Sequence, residues 1–477
     1  MVADLGGLKR AINAYVARRL DPLQQVVEHN ASELAQVRSD VEALRGALQG
    51  EREHVEALRG ALEGERERVG ALLGTVNLLT RRSHRSGRIR CLFLIHYMEA
   101  WDSVADVIAQ MGQAEDFEPI VASIPRRLPG APGFRDEELT HRRLNTLGVA
   151  HLRFDGDDTN LTLDTIKQLE PDLIFRQSQW DVDVPPAFST ENLSFARLAL
   201  IPYEVFNPIE NVTAPAPIRD SATDSRYHRN CWAVFCANEM VRTRAAALSP
   251  ANSASQYVVT GHPKYQRLRR VLAASPTAEP GSPFTVMWNA HHSVGEDWTR
   301  FGLFPAMAPE MVEWARARPD LRFVFSPHPS LLTVMASAHP PLTPESVAGF
   351  WEEWNALPNT DFDPGGDTGT YGELFARCDA CVSDGISMLV EFQIASKPVI
   401  HVAREGHRPF NELGRVAQRG FHTVSTTAEA RALVERFAAG DPDPLADAQE
   451  GVVAEVFGEH DAAREIVDYI RDNWDKR

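Results

Sequence analysis

The sequence predicts an α/β protein with two doubly wound, Rossmann-like domains behind an N-terminal α-helical coiled coil. Three observations predict it: apolar residues in heptad register from Leu20 to Leu79, strand-like segments alternating with helix-like ones from Arg88 onward, and a helix–strand–turn–helix–strand run from Tyr371 to Val402. A chain of 477 residues exceeds one ordinary core, and 43% hydrophobic content is enough to build two or three.

Over residues 1–19, Leu5, Leu8, Ile12, Val16 and Leu20 are spaced for one helical face, with Lys9, Arg10, Arg18 and Arg19 elsewhere on the helix. Two readings stay open for it: a helix lying on an anionic membrane surface as a peripheral contact, or the first part of the stalk. Over residues 20–82, apolar residues recur at alternating steps of three and four, which predicts a coiled coil. VEALRGALQGEREH is followed by VEALRGALEGERER, and Gly46, Gly50, Gly60 and Gly64 all fall on the outer face. Asn30, Glu51 and Glu65 occupy seam positions, where a polar residue weakens packing and fixes register or strand number. The stalk implies a homo-oligomer; the alternative is a helix folded back on its own domain.

A net charge of −17 argues against nucleic acid as a partner, although Arg81, Arg82, Arg85, Arg88 and Arg90 form a basic cluster suited to phosphate or anionic lipid. Five cysteines, mostly in apolar strand-like segments, fit a reducing compartment without a disulfide framework. No apolar run reaches the ~18 residues of a membrane span. Met1–Leu20 also lacks the apolar core of a signal peptide, so a cytoplasmic location is expected, with the inner face of the membrane as a peripheral site.

The first domain is expected over 88–250, with strands at Ile89–Ile95, Pro119–Ile124, Val149–Phe154, Leu173–Phe175, Arg197–Ile201 and Ala233–Cys236. Helices Ala100–Met111, Asp136–Leu147 and Leu161–Leu169 between them imply a parallel sheet covered on both faces. A second series over 251–457 runs through Tyr257–Thr260, Phe284–Trp288, Arg322–Phe325, Ala380–Ser383 and Pro398–Val402. Asn359–Thr370 reads as a surface loop, and an amphipathic helix within 458–477 is expected to cross back to the first domain.

Four polar motifs directly follow strands of the second series: GHPK at Gly261–Lys264, NAHHS at Asn289–Ser293, SPHPS at Ser326–Ser330 and SDGIS at Ser383–Ser387. Strand ends on one edge of a parallel sheet converge, so the four loops are expected to line one cleft. The turn at Asp384-Gly385 opens a helix from Ile386, where backbone N–H groups and the helix dipole favour phosphate. A nucleotide diphosphate is therefore the expected ligand. His291 and His292 adjoin Glu296 and Asp297, but neighbouring side chains on an extended segment diverge, which disfavours a metal there. Cys378 and Cys381 have CxxC spacing within core-like sequence.

These motifs resemble the GT-B transferases, and most closely the CDP-glycerol glycerophosphotransferase family. The matching residues are Gly261, Pro263 and Lys264 after a strand, Trp288 at a strand end, His328-Pro329, and Asp384 with Ser387 before Lys397-Pro398. The resemblance implies that His328 contacts the donor diphosphate or assists proton transfer, and that Ser387 and the helix start hold phosphate. The family's first-domain Trp-His-Gly-Thr motif is absent; Arg197–Ile201 runs instead into Pro202-Tyr203-Glu204, which offers Glu204 as the base. The same order also resembles the UDP-N-acetylglucosamine 2-epimerases, through Gly261/Pro263, His291 or His292, His328, Asp384/Gly385/Glu391 and Arg408/Pro409. Their His-Arg-Arg-Glu-Asn run is replaced here by His291-His292-Ser293-Val294-Gly295.

The expected function is transfer of a glycerol-phosphate or glycosyl group from a nucleotide-activated donor, CDP-glycerol first, to a cell-surface polymer or lipid-linked acceptor. The donor, CDP-glycerol or a nucleotide sugar, is a substrate, so no separate cofactor is expected. No metal is expected either, since no Asp-x-Asp pair ends a strand. The catalytic candidates are His328, Glu204 and His292. The substrate-binding candidates are Gly261, Lys264, Asn289, His291, Asp384, Gly385, Ser387 and Glu391. Beside this stand a UDP-sugar 2-epimerase-like enzyme and a non-catalytic nucleotide-binding scaffold.

Overall fold

A computed structural model of the chain describes residues 5–83, 87–129, 131–210, 220–249, 255–275, 281–296, 299–364 and 371–475. The chain divides into two compact units, Met1–Arg85 and Ser86–Arg477.

The first unit is a single helix, Leu5–Ser83, that runs through Pro22. The boundary expected between residues 19 and 20 is absent: amphipathic segment and stalk are one element, with Pro22 on its outer face. Arg85 of the basic cluster lies outside the described residues.

The second unit contains two wholly parallel sheets. The first comprises β1 (Ile89–Ile95), β2 (Phe117–Ser123), β3 (Leu152–Arg153), β4 (Leu173–Arg176), β5 (Arg197–Leu200), β6 (Cys231–Cys236) and β7 (Tyr257–Val259), in the order β3-β2-β1-β4-β5-β6-β7. The second comprises β8 (Thr285–Asn289), β9 (Arg322–Phe325), β10 (Thr360–Phe362), β11 (Ala380–Ser383), β12 (Val399–Val402) and β13 (His422–Val424), in the order β10-β9-β8-β11-β12-β13. Alternation along β1 explains why such strands read as unbroken apolar runs. Cys91, Phe93 and Ile95 pack into one core while Leu92 and Leu94 pack into the core on the opposite face.

Three expectations are corrected. Tyr257–Val259 does not begin the second series; it pairs with β6 at Val234↔Tyr257 and closes the first sheet. Periodicity identifies a buried strand but not its sheet, so the crossover falls later, after helix Pro263–Ala274. Thr360–Phe362, inside the expected surface loop, is the edge strand β10, while 365–370 lie outside the described residues. The helix expected from Ile386 is one turn, Met388–Glu391, continued by the 3₁₀ turn Phe392–Ala395.

Near the C-terminus, helix Ala462–Asn473 places Ala463, Ile466, Val467 and Ile470 in the first sheet's core. Their three- and four-residue spacing puts them on one face. Arg197 Nη1 donates to the Trp474 carbonyl, and its guanidinium sits 4.3 Å from the Trp474 ring, fixing the end of the chain to β5.

Candidate active site between the two sheet edges

Both sheets reverse strand order once, between β1 and β4 in the first and between β8 and β11 in the second. In open parallel sheets the crevice at such a reversal binds ligands.

At the second sheet the strand ends are bound to one another. Asn289 Nδ2 donates to the Ser326 carbonyl (2.7 Å), while its Oδ1 accepts from Ser383 Oγ (3.0 Å), which in turn accepts from Gly385 N (2.8 Å). One amide thus joins the ends of β8, β9 and β11. A Cβ on Gly385 would meet Asn289 Oδ1 at 2.9 Å, so glycine is required by this close approach. The buried Asp384 carboxylate accepts from His291 N (2.7 Å) and Leu303 N, and burial pushes it up to about 7. Asn289, Asp384 and Gly385 are therefore framework groups whose hydrogen-bonding capacity is largely used within the protein.

That framework holds three imidazoles together. Ring centroids are 4.3 Å apart for His291–His292, 4.5 Å for His292–His328 and 5.4 Å for His291–His328. The divergence expected of adjacent histidines does not occur, because residues 291–296 form a bend and not a strand. Burial, and then the neighbouring imidazoles, push His291 well below its ordinary value; for His328 the causes are burial, His292 and Arg126. His328 caps helix Pro329–Ala336, its Nδ1 accepting from Ser330 N at 3.1 Å. A neutral ring that accepts at Nδ1 carries its proton on Nε2, so His328 offers a neutral N–H donor. Beside it the hydroxyls of Ser326 and Ser330 are buried without a hydrogen-bond partner among the described residues. Ser387 is half-buried, and among the described residues the backbone N–H groups of Ile386 and Ser387 make no hydrogen bond.

The fourth motif, GHPK, belongs to the first sheet's edge because it follows β7. The four loops therefore do not share one sheet. Gly261 has φ +72°, and a Cβ there would come within 2.5 Å of His460, so its glycine serves packing against the C-terminal segment. His262 caps helix Pro263–Ala274 as His328 caps its own, but its Nε2 is engaged by the Pro202 carbonyl at 3.0 Å. Lys264 Nζ pairs with Glu391 Oε2 at 2.5 Å, both buried, across the junction between the sheets. These two substrate-binding candidates thus hold each other.

Glu204, after β5, is half-buried, and burial raises it to about 7, helped by repulsion from Glu391 and Asp220 and opposed by Lys264. A carboxyl balanced near neutrality is suited to general acid–base work.

Several residues at this edge escaped the sequence reading. Gln177 Oε1, after β4, accepts from His96 N and Tyr97 N at 2.9 Å each, bridging the reversal. The Tyr97 ring lies 5.6 Å from Tyr203, and Trp180 lies 6.2 Å from Tyr203. Arg126 is paired with both oxygens of Glu99 (2.7 and 3.2 Å) and stands 5.4 Å from the Tyr97 ring. Arg135 Nη2 donates to Thr333 Oγ1 (3.0 Å), joining the two edges. The available signal was the same one used for the second series: polar and aromatic residues immediately after strands, here His96-Tyr97 and Gln177–Trp180.

Two facing parallel α/β domains, each with its strand-end loops toward the other, define a GT-B fold. No family model matches the chain, and no curated protein matches it significantly. Among solved structures it is similar to UDP-GlcNAc 2-epimerase from Neisseria meningitidis bound to UDP-GlcNAc, with TM-score 0.53, 14% identity, and coverage of 80% of this chain and 100% of that one. It is likewise similar to the S. aureus MnaA–UDP co-structure (0.54, 13%, 81% and 96%) and to the wall teichoic acid polymerase TagF soaked with CDPG (0.52, 11%, 85% and 98%). At these identities the likeness is one of fold.

Proposed function

We propose that this protein is a GT-B-type transferase that takes a group from a nucleotide-diphosphate-activated donor, with CDP-glycerol as the first donor to test. The observation that carries the reading is the donor set at the second sheet's reversal: the neutral Nε2–H of His328, the unpartnered hydroxyls of Ser326 and Ser330, and the open N–H groups of Ile386 and Ser387. Hydrogen-bond donors suit a diphosphate, and neutral ones bind it without burying a second charge; the Asp384 carboxylate of the same frame is turned to His291 N and Leu303 N.

In this reading a hydroxyl of a polymer or lipid-linked acceptor attacks the donor's phosphorus or anomeric carbon. Glu204 takes the hydroxyl proton as base, and the His328 N–H stabilises charge on the departing nucleotide. Lys264 and Glu391 act on Glu204 electrostatically, setting its proton affinity. His292, packed between the other two rings, positions His328.

The epimerase reading retains the support of two neighbours that carry UDP or UDP-GlcNAc in a similar fold. Thermal unfolding in the presence of CMP, CDP, CDP-glycerol, UDP and GDP separates the two. A ligand at a hundred times its Kd stabilises by about 2.7 kcal/mol. Stabilisation by cytidine nucleotides supports glycerol-phosphate transfer, stabilisation by UDP moves the protein to sugar chemistry, and no stabilisation by any of them overturns nucleotide binding.

A further inference from the structure

Nineteen of the 25 exposed large hydrophobic side chains among the described residues lie on the helix Leu5–Ser83, from Leu8 at 61% exposure to Val76 at 56%. At ~1.5 Å per residue that helix is roughly 120 Å long, and a lone helix does not leave such a stripe in water. The seam keeps strict heptad spacing, so each position can be assigned. Leu20, Val27, Leu34, Val41, Leu48, Val55 and Leu62 are a positions; Leu23, Asn30, Val37, Leu44, Glu51 and Leu58 are d positions.

The residues flanking this seam are asymmetric. The e positions Arg38, Arg45, Arg52 and Arg59 are four consecutive arginines, all exposed and none paired with a carboxylate of its own chain among the described residues. The g positions of the two heptads before them carry Glu33 and Asp40. When two helices run parallel and in register, each g residue faces the e residue five positions further along its partner, which sets Glu33 against Arg38 and Asp40 against Arg45 of the second copy. When they run antiparallel, e faces e, and the arginine row meets itself. Seam position Glu51 obeys the same logic, since a parallel partner brings its own Arg52 beside that carboxylate. Asn30 meets a second Asn30 only in the parallel, in-register arrangement. Valine alternates with leucine at a, at Val27, Val41 and Val55, and leucine holds Leu23, Leu44 and Leu58 at d; β-branched a residues over leucine at d favour two strands.

We infer that residues 20–62 form the seam of a parallel, in-register, two-stranded coiled coil with a second copy of this chain, its direction set by the arginine row at e against Glu33 and Asp40 at g. Both chains then leave the stalk at the same end.

All five native cysteines are buried, so one cysteine introduced on the stalk of the full-length chain reports on direction. Val37→Cys and, separately, Leu58→Cys are expected each to give a covalent dimer on oxidation. In an antiparallel pair centred on the seam, two copies of residue 37 would lie roughly 12 Å apart along the axis and two copies of residue 58 roughly 50 Å apart, both beyond the ~7 Å reach of a disulfide. Sedimentation at micromolar concentration is expected to give twice the chain mass. Arg38→Glu with Arg45→Glu should weaken self-association by roughly ten- to a hundredfold, and mixing with the Glu33→Arg, Asp40→Arg variant should restore pairing as a heterodimer. A monomer, a trimer, or a dimer that neither cysteine variant cross-links overturns the inference. So does a charge-reversed variant that associates as before.

Discussion

The two sheet edges that face each other are built on opposite principles. At the second, a hydrogen-bonded frame holds open donors in place: Asn289 joins three strand ends, Asp384 is held by two backbone N–H groups, and three imidazoles pack together beside the Ser326 and Ser330 hydroxyls. At the first, charge is concentrated and imperfectly balanced, with Glu204 and Asp102 raised to about 7 and about 6 by burial and Arg126 close enough to depress His328. A fixed edge of hydrogen-bond donors, its Asp384 carboxyl held by backbone N–H groups, suits gripping a ligand, and an edge of poised carboxylates suits moving protons. The contrast divides the proposed labour before any substrate is present.

The largest test of that division is Glu204→Gln. With the donor identified, turnover should fall about a hundred- to ten-thousandfold while nucleotide stabilisation is retained, and the wild-type rate should rise with pH through about 7 as Glu204 ionises. Undiminished turnover would remove proton transfer from the first edge. Next is the bond between the edges. Lys264→Met leaves the Glu391 carboxylate buried and unpaired, and urea denaturation should register a loss of about 3–5 kcal/mol. Adding Glu391→Leu should recover most of it; a double variant no better than the single one would show that the pair does not act as a unit.

Gly261→Ala forces a side chain into a left-handed backbone and against His460, for a loss of about 1–3 kcal/mol that His460→Ala should partly relieve. His328→Asn keeps a cap acceptor but loses the Nε2–H. It should reduce nucleotide affinity about tenfold, near 1.4 kcal/mol, at unchanged melting temperature. Equal affinity would take the grip away from the second edge. The smallest effect is in the pH dependence of stability. Glu204 is raised above its ordinary value, so its contribution is complete below about pH 4 and is lost as pH rises through about 7. The stability of wild type relative to Glu204→Gln should decline across that window.

The motif loops of the second edge were legible because they combine a strand's apolar run with an abrupt polar turn, as at Ala380–Gly385. Their roles were less so. Asn289 and Asp384 read as ligand groups, yet their partners lie 37, 94 and 93 residues away, beyond any local pattern. At the first edge Glu204 was legible as the polar residue after β5, whereas Arg126 and Tyr97 were not. Arg126 acquires its place from Glu99, Asp136 and the Tyr97 ring, a grouping that exists only once β1 and β2 are paired.

The sequence by itself determined the alternation of strands and helices, the heptad seam with its flanking charges, and the loops bearing histidine and carboxylate. Each is a repeat or boundary within one element, written in the periods of 2, 3.5 and 3.6 that backbone geometry imposes. Only the tertiary structure decided that β7 closes the first sheet, that the His291 and His292 rings converge on His328, and that Lys264 takes Glu391 as its partner. Those outcomes depend on which surfaces meet when the sheets close, where burial makes an unpaired charge expensive and so selects partners that sequence distance does not reveal.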